Sequence, residues 1–503
     1  MLFEQRKSLW DAVEQNPSDV AIVGAGINGA CLYHHLCQAG YRVLLIDKGD
    51  FAGGTSQASA MMIWGGLLYL RYWDWMTVGR LCGSRDRMIH EMRDWAQTRR
   101  FRYLPAQGCG RRRAFVGAAL HLYWLLGRCR RARPRSESRY SEQGLLRKDG
   151  FDSSLLYEEG FVEPSDARFV CHWIFQPQNG AHVPLSYCRL EGGRYETAAR
   201  QWYLELTDTL GSRQLVARAR LVVNAAGVWT DAVNQRFGLE SPYRHVFSKG
   251  VFIGLPRHPT HEVPLIFDNR EDGDCMSLIP WGPVALWGPT EAAVPDLEEG
   301  FQASPAEVYF LLDELNRHLA RPVDAANIVS IRCGVRPLVA DRPYVGDGRT
   351  LHLSRRCCIY KDPKVPWISI YGGKLTGCES VAKWVTKVIG QTVPASDLPV
   401  EGGLQRAREP HWECFPGLAE KVPSAMWCAE QEMCYTLEDY LRRRTNISQW
   451  VPRRGLGRAD ANLSHLSTLA KVFCATSGKN EEATLAAYRD ETKREFDDAV
   501  SEL

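Results

Sequence analysis

Three glycines, Gly24, Gly26 and Gly29, stand at G-x-G-x-x-G spacing behind four apolar residues, Val20, Ala21, Ile22 and Val23. That pattern binds phosphate. The first glycine permits a tight turn, the second lets a pyrophosphate approach the main chain, and the third lets a helix pack close to the strand. The helix that follows, with Ala30, Cys31, Leu32 and Leu36 on its apolar face, offers unpaired N–H groups and a positive dipole end to the phosphates. Asp47 closes a second apolar strand over 41–46, where a carboxylate accepts hydrogen bonds from a ribose 2′-hydroxyl. A lone G-x-G-x-x-G is a weak signal and an ordinary βαβ turn is the bland alternative. Strand, turn, helix, strand and acid in this order specify a dinucleotide site.

Lys48 follows the acid, and then a loop of small residues and hydroxyls, Gly53-Gly54-Thr55-Ser56-Gln57-Ala58-Ser59, leads to Gly65-Gly66. Such a loop suits a chain that folds back over a pyrophosphate and a flavin. Further on, Leu221-Val222-Val223-Asn224-Ala225-Ala226-Gly227-Val228-Trp229 reads as a strand running into a small-residue turn beside the cofactor. Ile370-Tyr371-Gly372-Gly373-Lys374-Leu375-Thr376 repeats the scheme of strand, glycine pair and helix. A helix starting there points its positive end into the cleft, where it stabilises negative charge on a reduced flavin ring.

The elements that must position these residues fit a chain of 503 residues, long enough for two or more domains. Hydrophobic content of 45% and charged content of 24% are ordinary for a globular protein, and a net charge of +3 does not describe a whole-molecule nucleic-acid binder. The sixteen cysteines, Cys357-Cys358 among them, show no zinc spacing. They read as reduced thiols of a cytoplasmic protein, and no metal is expected. Leu9, Trp10 and Val13 suggest a short amphipathic helix before Pro17, not a secretory signal. Residues 77–100 read as a polar helix and 306–319 as another. Apolar strand candidates over 251–254, 264–267, 276–280 and 284–287 suggest an antiparallel sheet inserted within the nucleotide-binding domain. From about 399 the pattern turns helical and polar, with helices over 436–444 and 465–473.

One stretch stands out in composition. Arg111, Arg112 and Arg113 precede an apolar-aromatic run over 114–126, and Arg128, Arg130, Arg131, Arg133 and Arg135 follow it. The run is short of the ~18–20 apolar residues of a membrane span and is interrupted by His121. It fits a helix lying in a bilayer interface with its arginines on anionic head groups, a peripheral contact at the cytoplasmic membrane. A buried helix followed by a solvated basic loop fits equally. Nucleic acid does not, because base-stacking aromatics are not interleaved with the charges.

Taken together, Gly24-Ala25-Gly26-Ile27-Asn28-Gly29-Ala30, Thr55-Ser56-Gln57-Ala58-Ser59, Gly65-Gly66-Leu67 with Tyr69-Leu70, Asn224-Ala225-Ala226-Gly227-Val228-Trp229, Lys249-Gly250, Ile279-Pro280-Trp281, Gly334-Val335-Arg336-Pro337-Leu338 and Gly372-Gly373-Lys374-Leu375-Thr376 are similar to the motifs of the FAD-dependent glycerol-3-phosphate dehydrogenases, of the glutathione-reductase-like flavoproteins. The resemblance spans nearly the whole chain. It implies an α/β fold: an FAD-binding Rossmann-like domain of glutathione-reductase type with an interleaved antiparallel-sheet substrate domain over 1–398, and a C-terminal helical domain over 399–503. It implies an FAD held by Gly24, Gly26, Asn28, Gly29, Asp47, Lys48, Thr55, Ser56, Ser59, Gly65, Gly66, Ala226, Gly227, Trp229, Gly334, Gly373, Lys374, Leu375 and Thr376. Arg336, Lys374, Tyr69 and, by a looser alignment, Arg355 stand where the family acts on substrate. Hydride passes from a small anionic substrate to flavin N5, and electrons leave to a quinone or to oxygen.

The chain departs from the family around the reacting centre. A Lys, a His and an Arg that follow the Ser-rich loop in the family correspond to Met62, Trp64 and Leu68, and a His after the Lys-Gly pair corresponds to Phe252. Gly288-Pro289-Thr290-Glu291 replaces Gly-Thr-Thr-Asp. Alcohol oxidation needs an acceptor for the hydroxyl proton, which a His supplies and these side chains do not. A polyol phosphate or relative is the first expectation, because two guanidiniums and an ammonium clamp a phosphate or carboxylate. An amine or amino-acid-type substrate, which loses hydride without an obligatory base, is the second. A non-catalytic flavoprotein scaffold is the third.

Overall fold

The computed structural model describes residues 2–105, 110–137, 144–147, 151, 153–176, 181–268, 275–295, 297, 301–342, 356–399, 409–477 and 480–501. The strand Ser18–Val23 is buried at all six positions, as a parallel strand covered on both faces must be. It lies between Gln214–Asn224 and Val43–Ile46 and pairs with both in parallel. Trp367–Gly372 and Val183–Leu185 extend the parallel layer on either side. The helices Ile27–Gln38, Asp166–Phe175 and Cys378–Gly390 contact one another over this sheet. On the other side the amphipathic helix Leu2–Gln15 buries Trp10 and Val13 against Leu44, Ile46 and Val222.

A second sheet has the long strand Tyr243–Pro256 as its spine. Ser330–Asp341 pairs with it antiparallel over twelve positions, placing Ser248 opposite Arg336 and Gly250 opposite Gly334. Val284–Gly288, Cys275–Trp281 and Leu265–Asp268 follow in antiparallel order. The expected all-antiparallel sheet is corrected at one neighbour: Leu265–Asp268 pairs in parallel with Ala96–Leu104.

The expected polar helix over 77–100 is also corrected. It is the helix Trp75–Glu91, capped by Asp74 accepting from Thr77 N–H at 3.1 Å, followed by the strand Ala96–Leu104. Arginines gave this strand its polar look, and Arg99 and Arg102 find partners. Arg99 pairs with Glu163, and Arg102 donates to Ser154 Oγ at 2.8 Å and to Glu137 at 3.0 Å. Phe101 and Tyr103 then enter the core between them.

The helical region at the C-terminal end has its own apolar core around Phe415, Tyr440, Leu466, Phe473 and Tyr488, yet it is fastened elsewhere. Phe496 and Ala499 pack into the core of the second sheet. Arg444 spans both oxygens of Asp50 at 2.8 Å, and Arg443 Nε donates to the same carboxylate at 2.6 Å. Burial alone pushes a carboxyl up, but here the two guanidiniums hold Asp50 below its ordinary value. Among the described residues no helix is long and apolar enough to cross a membrane. Removing one member of a buried ion cluster leaves charge uncompensated, at about 3–5 kcal/mol. Asp50→Asn is therefore expected to lower the melting temperature by several degrees in scanning calorimetry, and Asp313→Asn on the exposed Arg317 pair to leave it unchanged.

Candidate active site

Gly24 turns with φ +100°, and a Cβ on Gly29 would lie 1.9 Å from Gly24 O. Only glycine lets the helix begin directly on the strand's end. Gly26 is the extended N-cap of that helix and no side chain caps it, so the first turn faces a cleft of about 900 Å³. Ser56 Oγ accepts from Ile27 N–H at 2.9 Å. Asn28 Nδ2 donates to Gly372 O at 3.1 Å, while its buried Oδ1 has no protein partner. A helix start flanked by an unused buried acceptor fits a nucleotide's phosphates and hydroxyls.

Asp47 Oδ2 accepts from Ala25 N–H at 2.7 Å and Oδ1 from Gly49 N–H at 3.0 Å. Each oxygen keeps a second lone pair for a ribose hydroxyl. Burial pushes this carboxyl up to about 6. Lys48 Nζ sits 3.7 Å from the Trp229 ring centroid, and Trp229 stacks on Phe301. Ala226, Gly227, Gly373 and Leu375 complete the cleft wall.

Thr55 and Ser59 line the same cleft but spend their hydroxyls on the protein. Thr55 Oγ1 donates to Val335 O at 2.6 Å, and Ser59 Oγ donates to Asp166 Oδ2 at 2.8 Å. Gly29, Gly65, Gly66, Gly334 and Thr376, expected to hold the flavin, do not line the cleft. The Gly65-Gly66 turn rests on a buried group: Glu159 accepts from Gly65 N–H, from Tyr123 Oη at 2.5 Å and from Arg85 at 2.9 Å.

Lys374 and Gly373 form a wall common to this cleft and a second cavity of about 1110 Å³. Arg80, Arg87, Arg128, Arg130 and Arg356 line that second cavity, against Asp74 and Asp86. The basic balance suits an anion. Lys374 Nζ is hydrogen-bonded to Tyr69 Oη and lies 5.2 Å from the Trp64 ring centroid. The turn that carries Lys374 is held by His245, whose Nε2 accepts from Gly372 N–H at 3.0 Å. Burial pulls His245 down to about 4, so it stays a neutral acceptor.

Lys374 and Tyr69 are thus brought together. Arg336 is placed differently: its Nη1 donates to Ser248 Oγ at 3.2 Å and Lys249 O at 3.3 Å, and it lines neither cavity. Gly250 makes the room, since a Cβ there would lie 2.3 Å from Arg336 Nη2. Arg355 lies outside the described residues. Sequence reasoning missed Arg80 and Arg87, although seven residues apart on one helix they share a face. Arg128 and Arg130, read there either as lipid contacts or as part of a solvated basic loop, line the cavity.

Residues 19–373 match the family described as FAD dependent oxidoreductase, DAO. The chain is 30% identical over 379 residues to the aerobic glycerol-3-phosphate dehydrogenase of Escherichia coli, covering 73% of this chain and 72% of that one. It is 26% identical over 416 residues to the D-erythritol 1-phosphate dehydrogenase of Brucella abortus, covering 78% of each. Its fold matches the structure of the glycerol-3-phosphate dehydrogenase from Bacillus halodurans complexed with FAD, with a TM-score of 0.70 over 99% of both chains at 18% identity.

A ribose hydroxyl donates far more strongly to a carboxylate than to a carboxylic acid. Flavin affinity is therefore expected to hold above pH 6 and to fall below it by about tenfold per pH unit, as Asp47 takes up a proton in the flavin-free protein. Asp47→Asn should bind FAD weakly and without that pH dependence. Titrations of FAD fluorescence quenching between pH 5 and 7.5 read both.

Proposed function

The chain belongs to the FAD-dependent oxidoreductase family, and from that premise we propose that it dehydrogenates a small phosphorylated polyol or a close anionic relative. The reading rests on Lys374, which stands between the nucleotide cleft and a cavity lined by arginines. FAD, when bound along Gly24, Gly26, Asn28, Asp47, Lys48, Ser56, Gly227 and Gly373, supplies the hydride acceptor. The chain's own residues do the rest. Arg80, Arg87 and Arg356 offer guanidiniums to the substrate's phosphate, and Lys374 Nζ attracts the oxygen that gains negative charge as the hydroxyl proton leaves. The hydroxyl proton has an acceptor in Tyr69 Oη once that oxygen is a phenolate, a form the hydrogen-bonded ammonium of Lys374 favours. Electrons then leave to a quinone or to oxygen.

That pair weighs against the amine reading, which drew its strength from the apolar side chains at 62, 64, 68 and 252. Phe252 packs in the core against Gly288, away from the question. Met62, Trp64 and Leu68 stay half-buried, and Trp64 beside Lys374 narrows or greases one side of the site. A substrate other than glycerol 3-phosphate itself, longer or with a larger apolar part, fits that change. An idle scaffold has no use for a basic cavity across from Lys374.

Anaerobic stopped-flow mixing with glycerol 3-phosphate, D-erythritol 1-phosphate, longer polyol phosphates and amino acids tests the assignment. Polyol phosphates are expected to bleach the flavin band, and Tyr69→Phe to slow bleaching by about 10²-fold with little change in KM. Bleaching by amino acids alone would replace this reading with the amine one.

A peripheral membrane contact is a second part of the proposal, favoured by one observation. The helix Gly110–Leu126 turns Phe115 and Leu125 outward, and the neighbouring Trp73, Trp75 and Met76 are exposed as well. Apolar tips flanked by Arg113 and Arg133 suit an anionic bilayer interface and a quinone as acceptor. Vesicles with about one-third anionic lipid should co-sediment the flavin-loaded protein. Trp73→Ser with Phe115→Ser is expected to cut that binding by about tenfold at unchanged flavin content.

A further inference from the structure

One face of the loop through Gln57 is not explained by the nucleotide. Ser56 turns its hydroxyl to Ile27 N–H and the helix start. The next carbonyl, Gln57 O, receives two buried guanidiniums from the opposite side: Arg332 Nη2 donates to it at 3.0 Å, and Arg442 Nη2 donates to it as well. Arg332 comes from the strand Ser330–Asp341 and Arg442 from the C-terminal helical region, so two like charges meet where three segments join. Both residues line the end of the cleft that lies toward those helices.

The charges are unequally compensated. Arg332 pairs with Asp166 at 2.7 Å and lies over the Trp281 ring, but its Nε and Nη1 have no hydrogen-bond partner. Arg442 has no carboxylate within 4 Å among the described residues, and its Nη1 is also unpartnered. The acids nearby are engaged: Glu438 at 2.6 Å and Glu495 at 3.0 Å pair with Arg454. Burial and the facing Arg332 pull Arg442 down to about 9. A buried guanidinium in contact with another and without a counter-ion is costly unless an anion joins them.

We propose that Arg332 and Arg442 form a binding site for a small phosphate-class oxyanion, inorganic phosphate or a phosphate monoester, at the joint between the Gln57 loop and the C-terminal helices. Two guanidiniums gathered on one carbonyl, with Arg332 Nε and Nη1 and Arg442 Nη1 left over among the described residues, are a donor set such an anion takes. No bond is made or broken. Occupancy supplies the missing counter-charge and clamps the helices onto the loop. The site is separate from the cavity behind Lys374, so it stands or falls independently of the substrate reading.

Equilibrium dialysis of the flavin-loaded full chain against radiolabelled inorganic phosphate, at fixed ionic strength in chloride, tests it. Saturable binding is expected in the wild type and in Arg80→Met with Arg87→Met, which strips the substrate cavity of guanidiniums, and a loss of at least tenfold on adding Arg442→Met to that variant. In phosphate-free buffer Arg442→Met should melt no lower than the wild type, because it removes an uncompensated buried charge. Should that variant not accumulate, Arg442→Lys, which keeps charge but not the fork, reads the same loss. Absence of saturable binding in the wild type, binding unchanged when an Arg442 substitution is added, or binding abolished by Arg80→Met with Arg87→Met would each overturn the proposal. The last would place phosphate in the substrate cavity, and flavin already filling the Arg332–Arg442 space would produce the first.

Discussion

The first turn of the helix Ile27–Gln38 rests on bare backbone, with Gly29 against the carbonyl of Gly24 at a distance no side chain tolerates. Three other segments are then fastened to the same short turn. Asp47 reaches Ala25 N–H, Ser56 reaches Ile27 N–H, and Asn28 reaches Gly372 O. Each fastening uses a group that the turn exposes because the helix starts so close to the strand. The cleft is therefore preorganised before any nucleotide enters, and its walls cannot drift apart without breaking bonds to buried partners. Preorganisation of this kind reduces what binding must spend on ordering the site.

The loop that leaves Asp47 carries this constraint outward. Asp50 is a wholly buried anion whose counter-charges come from residues almost four hundred positions later, Arg443 and Arg444. Gln57 O and the Asp166 carboxylate gather Arg442, Arg332 and Ser59. A helical region that looks appended in sequence is thus a structural partner of the nucleotide loop. A buried charge is costly to leave alone, so Arg443 and Arg444 dictate that Asp50 must face them. The region's own apolar core makes it compact, while the ion pairs decide where it sits.

How much of this was legible in the sequence depended on range. The strand, glycine turn and helix at 18–38 could be read because each cause lies within a few residues of its effect. The small-residue turn at Ala226-Gly227 and the glycine pair before Lys374 were legible for the same reason. Residues 96–100 were misread as helix because their arginines gave the start of a strand the look of a polar helix. The parallel seam between Ala96–Leu104 and Leu265–Asp268 depends on how the chain crosses between distant strands, which no local pattern encodes. Arg332 stands two residues before the glycine of a recognisable motif, yet its meeting with Arg442 is a fact of the fold alone.

The reacting end shows why a side chain's chemistry cannot be inferred from its absence elsewhere. Apolar residues at 62, 64 and 68 remove the nearby polar groups expected of an alcohol-oxidising flavoprotein, and in sequence that looked like the loss of a proton acceptor. Tyr69 and Lys374 are 305 residues apart and hydrogen-bonded. The fold brings a phenol and an amine to the same wall that separates the nucleotide cleft from the basic cavity. What the substitutions change is then chiefly shape and polarity: Trp64 lies beside the ammonium where a smaller or charged group would leave room. A site can therefore keep its proton chemistry while exchanging the substrate's outline. On the proposed function, selectivity resides in the apolar replacements and reactivity in the pair that the fold brings together.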